Sequence, residues 1–173
     1  DAWGPVESVD ASPETPNQYG EPFPLPSGDV YLARLVGVGP EATRTFVMRV
    51  LRWAAGASAV EVSEFPLAYD DRYLELRAAR VFALPSGTYL SFTVSGRPLP
   101  FRTELRRLDG AKAGPPLEVD QGLCGGEEVP SAKRALQVVE LGGRLQHFWI
   151  DGREAGFDLR QENLYTRSFE VQR

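Results

Sequence analysis

GPEATRTFVMRVLRWAAGAS, Gly39 to Ser58, decides the fold class because two periodicities compete within it. Pro40 stands where a first helical residue would be and Glu41 follows it. Phe46, Val47, Val50, Leu51 and Ala54 recur at helical spacing, and Gly56 could end the turn. By local rules this is a helix. The same residues also alternate through Val47, Arg49 and Leu51, and an Ala-Gly-Ala turn leads from them into Val60, as a strand and hairpin would require.

An internal repeat settles the competition. LPSGDVYL at Leu25–Leu32 returns as LPSGTYL at Leu84–Leu90, and each copy runs through an apolar strand pattern and a Gly/Pro break to an Arg-Thr pair, Arg44-Thr45 and Arg102-Thr103. The second copy continues as FRTELRRLDGAKAGPPLEV, which reads as strand, Asp-Gly turn and strand. RTFVMRVL is therefore expected to be a strand too, with a short helix near 41–55 as the exception to be tested. VPSAKRAL at Val129–Leu136 is a degraded third echo. Pro fixes φ and withholds an N–H, Ser and Gly make a tight turn, and an aromatic opens the pleated run. The repeat marks where a strand begins, not a site.

Period-two alternation continues outward from there. Leu90, Phe92 and Val94 face one way and Ser91 and Thr93 the other, the pattern of a half-buried strand. Leu32, Val36 and Val38 form a similar face, Leu74 and Leu76 oppose Glu75 and Arg77, and Val60 and Val62 oppose Glu61 and Ser63. ALQVVEL, RLQHFWI and LYTRSFEV supply later strands, with Asp151-Gly152 as a hairpin signal. About eight or nine short strands with turn signals roughly every ten residues predict a mainly β fold. The expected architecture is an antiparallel two-sheet β-sandwich, immunoglobulin-like or transthyretin-like in style.

The 173 residues, 42% of them hydrophobic, suit one well-buried core. Charge divides the chain. All six acidic residues up to Asp29 precede the first basic one, Arg34, whereas the remainder carries 18 acidic and 19 basic residues. The segment 1–24, with Pro5, Pro13, Pro16, Pro22 and Pro24, is expected to be an extended acidic arm that is mobile in isolation and orders on a partner. Residues 25–173 are expected to form the single folded domain. A start at Asp1 rather than Met suggests that a leader or anchor has been removed, which predicts a periplasmic or cell-surface location and membrane contact through that anchor. A near-neutral body lacks the basic footprint that nucleic acid requires.

Chemistry has few candidates. Cys124 and His147 are the only residues of their types and so the nucleophile and base to test, with Glu127 or Glu128 to orient the imidazole. HFWI, however, reads as a strand that places His147 on a face with Leu145 and Trp149, which favours a structural histidine. One His and one Cys are too few for a zinc or copper centre, and Asp70-Asp71 lacks the spacing of a calcium loop. Glu61, Glu64, Glu75 and Glu104 offer carboxylate pairs only as any soluble strand does. No catalytic residue, cofactor or metal is assigned. Aromatic and arginine side chains remain, types enriched where protein surfaces meet. The sequence thus predicts a non-enzymatic accessory or assembly subunit of an envelope or membrane complex that binds other proteins through Trp3, Tyr19, Phe23, Arg102 and Arg106. A carbohydrate- or ligand-binding module with a Trp and Tyr platform is the alternative, and a Cys124-dependent enzyme a third.

Overall fold

The computed structural model describes residues 18–19, 22–67, 74–95, 102–121, 136–151 and 163–170. Among them there is no α-helix, and every sheet is antiparallel. The first sheet contains β1 (Gln18–Tyr19), β2 (Phe23–Pro24), β3 (Val30–Val38), β4 (Thr45–Trp53) and β5 (Val60–Pro66), in the order β1-β3-β4-β5 with β2 also pairing β3. The second is a meander of β6 (Glu75–Leu84), β7 (Gly87–Ser95), β8 (Arg102–Asp109) and β9 (Lys112–Gln121). The third comprises β10 (Leu136–Leu141), β11 (Arg144–Asp151) and β12 (Asn163–Glu170). Three sheets form where the sequence predicted two.

The segment 41–55 resolves in favour of the strand. Its helical signal is used only in a 3-10 turn at Glu41–Thr43, after which β4 pairs along its length with β3. Tertiary pairing outweighs local propensity here because β4 lies between β3 and β5, where a helix would leave both neighbours' ladders unpaired. Within the segment 1–24 that the sequence reads as an extended arm, two short strands, β1 and β2, pair with β3, and Phe23 packs against the core.

The repeat is structural as well as verbal. LPSG joins β2 to β3 in one copy and β6 to β7 in the other, and the Arg-Thr pairs lead into or open β4 and β8. Gly28 and Gly87 hold φ of 89° and 141°, a region that favours glycine. Tyr31 pairs in register with Arg52, and Tyr89 with Arg107. Both arginines bond back towards their own repeat, Arg52 to the Asp29 carboxylate and Arg107 to the Ser86 carbonyl at 3.0 Å. Of the third echo, only Leu136 lies within the described residues, and it opens β10. The Asp109 to Lys112 hairpin forms as predicted, whereas Gly152 lies outside the described residues.

The faces depart from the alternation read in the sequence. On β3 it is Tyr31, Ala33 and Leu35 that face the first core cluster, with Leu32 and Val36 on the reverse. On β5 Phe65 faces that cluster, which puts Val62 on the outer side, 58% exposed. A β-bulge between Leu76 and Ala78 reverses the parity of β6, so that Leu76 before it and Ala79 and Val81 after it all reach the same cluster. β7 is buried on both faces: Leu90, Phe92 and Val94 enter the first cluster with residues of the first sheet, while Tyr89 enters a second with Leu105, Val138 and Leu145. The second sheet thus lends one face to each of its neighbours.

At one end the first two sheets are tied by a polar cluster. Arg52 donates to Asp29 Oδ2 at 3.1 and 2.9 Å and to Glu61 Oε1 at 2.8 Å, and Glu61 Oε2 accepts the Ala111 N–H of the β8–β9 turn at 3.1 Å. The Ala55 N–H and, after it, Arg52 hold the Asp29 carboxyl below its ordinary value of 3.8. Such a depressed group stabilises the fold above its unfolded value, and that contribution is lost as pH falls through the folded one. Asp29→Asn is therefore expected to lower stability by about 1 kcal/mol at neutral pH. Urea midpoints of the two proteins should converge as pH falls below the ordinary carboxylate value of 3.8 and the carboxyl becomes protonated; a difference that does not shrink with acid would disprove the ionic contribution.

Candidate functional site

The second and third sheets meet closely at β6, β7 and β10 and part at the opposite edge. There the β8–β9 hairpin and β12 bound a cleft of about 460 Å3. Its walls come from Leu108, Ala113, Pro115 and Leu117 on one side and Leu145 and Phe169 on the other, with Tyr89 at the junction. Arg107, Asp109, Lys112 and Glu170 also line it, a set with no net charge. The local sequence explains the opening. Pro115 and Pro116 cannot donate to a ladder, so β9 is an edge strand whose register shifts opposite Arg106. β12 is likewise an edge, paired with β11 alone among the described strands.

Ser86, from the second LPSG, fixes the inner end of this region. Its N–H donates to Glu140 Oε2 at 2.8 Å, its hydroxyl shares a hydrogen bond with the Tyr89 hydroxyl at 2.8 Å, and its carbonyl accepts from Arg107. One turn therefore binds the second sheet to β10 and aims Tyr89 and Arg107 at the cleft. The residue that the sequence assigned to punctuation is also a junction.

The partner-binding candidates are dispersed. Trp3 lies outside the described residues, Tyr19 stands opposite Arg34 in the β1–β3 register, and Phe23 is half-buried on the first sheet. Arg102 and Arg106 flank Glu104 on one face of β8. Arg106 Nη2 lies 2.8 Å and Arg102 Nη2 3.3 Å from the Glu104 carboxylate. Arg106 also donates to the Gly114 carbonyl at 3.0 Å, and its guanidinium sits 4.2 Å from the centre of the Phe65 ring. These charges serve the interior between the first two sheets. Phe23, Arg102 and Arg106 do not line the cleft.

His147 is buried, and its Nε2 is 3.0 Å from Ser91 Oγ, itself fully buried. A Ser-His pair enclosed in this way offers no approach to a substrate and satisfies two polar groups between the second and third sheets. Thr93 and Thr103 do the same for each other at 2.9 Å. Cys124, Glu127, Glu128, Asp70 and Asp71 lie outside the described residues, as do Tyr69 and Tyr73, two of the tyrosines open to a ligand platform. Trp53 is partly buried on β4. No group of three metal-ligating side chains occurs among the described residues. No family model, curated protein or solved structure matches the chain.

Sequence reasoning missed the cleft because its walls come from strands far apart in the chain. One signal was present: a Pro-Pro pair inside an alternating run identifies an edge strand, and edges are where sheets part.

Proposed function

We propose that the chain is a non-enzymatic binding subunit of an exported envelope complex, with its first two sheets packed as a β-sandwich and the cleft between β9 and β12 receiving a partner protein. The observation that carries this reading is the cleft itself. Its volume and apolar walls suit a buried side chain or extended segment, and its rim favours neither sign of charge. The edge of β12 that no described strand pairs supports an extended segment in particular, since a partner strand could pair there while placing alternate side chains in the cleft. The shared first core cluster supports the sandwich.

Leu117 is the residue with which to test this, because it lines the cleft and is 42% exposed, so a charge there should leave folding nearly untouched. Leu117→Asp is expected to melt within about 2 °C of the parent, a shift of roughly 0.5 kcal/mol. It should also lose at least ten-fold in retention of the partner recovered from the native membrane fraction. Equal retention would rule out the cleft as the docking site. Retention of the parent on a polysaccharide column, abolished by Phe169→Ala, would instead favour the glycan-binding alternative.

A further inference from the structure

Arg52 and Arg107 hold the same place in the two copies of the repeat but keep different company. Each stands in register with the tyrosine that follows LPSG, Tyr31 for one and Tyr89 for the other. In the first copy two carboxylates enclose the guanidinium: Asp29, two residues before Tyr31, and Glu61, the register partner of Arg52 on β5. The second copy is one residue shorter between its glycine and its tyrosine, which brings Gly87 to the place of Asp29. The Arg107 side chain lies over that glycine, so close that a Cβ there would stand 3.2 Å from its Nε. On the other side the β8–β9 register slips between Arg106 and Leu108, so Arg107 comes opposite Gly114 and Pro115 where Arg52 has Glu61. Neither position supplies a carboxylate in the second copy.

The other groups around Arg107 do not neutralise it. Its Nη2 donates to the Ser86 carbonyl, and among the described residues it has no ion pair. Three carboxylates lie in the region. Asp109 has Lys112 opposite it across the hairpin, Glu140 accepts the Ser86 N–H, and Glu170 lies 3.5 Å from its β11 register partner Arg144. The rim is neutral as a sum, but once these neighbours are matched Arg107 is the charge left over. It is exposed, and it lines the cleft together with Tyr89, Gly114 and Pro115.

We propose that the partner segment received by the cleft brings the carboxylate that Arg107 lacks: an aspartate or glutamate two residues from the apolar side chain that enters between Leu117 and Phe169. Residues two apart in an extended segment share a face, so one strand presents both groups. A guanidinium has more N–H donors than the single Ser86 carbonyl uses, and a carboxylate is the acceptor its geometry fits best. The inference rests on reading the cleft as a protein-docking site and adds the chemistry of the segment that docks.

Selection of short random peptides, displayed on phage, against the intact chain tests this. Peptides recovered should be enriched about ten-fold in Asp or Glu two residues from an apolar residue. Selection against Arg107→Glu should replace that preference with Lys or Arg at the same position, a reversal that a purely structural arginine would not produce. Arg107→Gln, which keeps a donor for the Ser86 carbonyl, should weaken the best peptide about ten-fold and leave unchanged its analogue with glutamine in place of the acid. Peptides that are lost with Leu117→Asp yet show no acidic preference would overturn the role of Arg107 while leaving the cleft as a docking site. If no peptide is recovered, or if Leu117→Asp recovers the same ones, the docking reading itself falls and this inference with it.

Discussion

Phe92→Ala should lower stability by about 3–5 kcal/mol, the largest effect expected of any single core truncation here. Phe92 is 0% exposed in β7, the strand buried on both faces, and belongs to the cluster shared by the first two sheets. Its ring centre lies 5.9 Å from that of Phe65, with the planes inclined at 48°, so truncation removes an aromatic pair as well as buried area. The surroundings have little room to relax. Glu104 is its register partner on β8, and a carboxylate tied to two arginines cannot move into an apolar void. At roughly 2–4 °C per kcal/mol for a chain of this size, the melting temperature should fall by about 6–20 °C. The urea midpoint should fall with an unchanged slope; a loss below 1 kcal/mol would mean that the two sheets do not share a rigid core.

What the sequence could and could not say follows from what each strand touches. β6, β7, β8 and their turns were legible because alternation and Asp-Gly or Pro-x-Gly punctuation are local. The same locality concealed the third sheet's role. Ser91 and Thr93 made β7 look half-exposed, but both are buried: His147, 56 residues away on the third sheet, satisfies the Ser91 hydroxyl, and Thr103 on the adjacent strand satisfies that of Thr93. The predicted face of β3 failed for a related reason. A strand buried on both sides has no polar face to reveal its orientation, and Arg34, which should mark solvent, is enclosed. The helix within 41–55 was a true local preference that pairing with two strands overrode. Arg102 and Arg106 read as partner contacts because sequence shows a charge but not its counter-ion. In Arg102-Thr103-Glu104-Leu105-Arg106, however, both basic residues share a strand face with the acid between them, and that spacing was visible.

That triad gives the second large expectation. Glu104 is 2% exposed between Arg106, held by two hydrogen-bonding nitrogens, and Arg102. Removing the carboxylate leaves two guanidinium groups close together at the edge of an apolar core, where mutual repulsion is poorly screened. The arginines are partly exposed, 12% for Arg106 and 20% for Arg102, so solvent offsets some of that repulsion. Glu104→Ala is accordingly expected to cost about 3 kcal/mol, at the lower end of the range for a broken buried pair. Glu104→Gln keeps the shape and an acceptor but loses the charge, and should cost less. Arg106 keeps the Gly114 carbonyl and the Phe65 ring in either variant, so the β8–β9 hairpin should survive while the contact between the first two sheets weakens. The sharper measurement is a triple replacement of Arg102, Glu104 and Arg106 by apolar residues of similar size. If the triad stabilises less than its own desolvation costs, that variant should recover most of the loss suffered by Glu104→Ala. If it instead melts below Glu104→Ala, the charges themselves hold the first two sheets together.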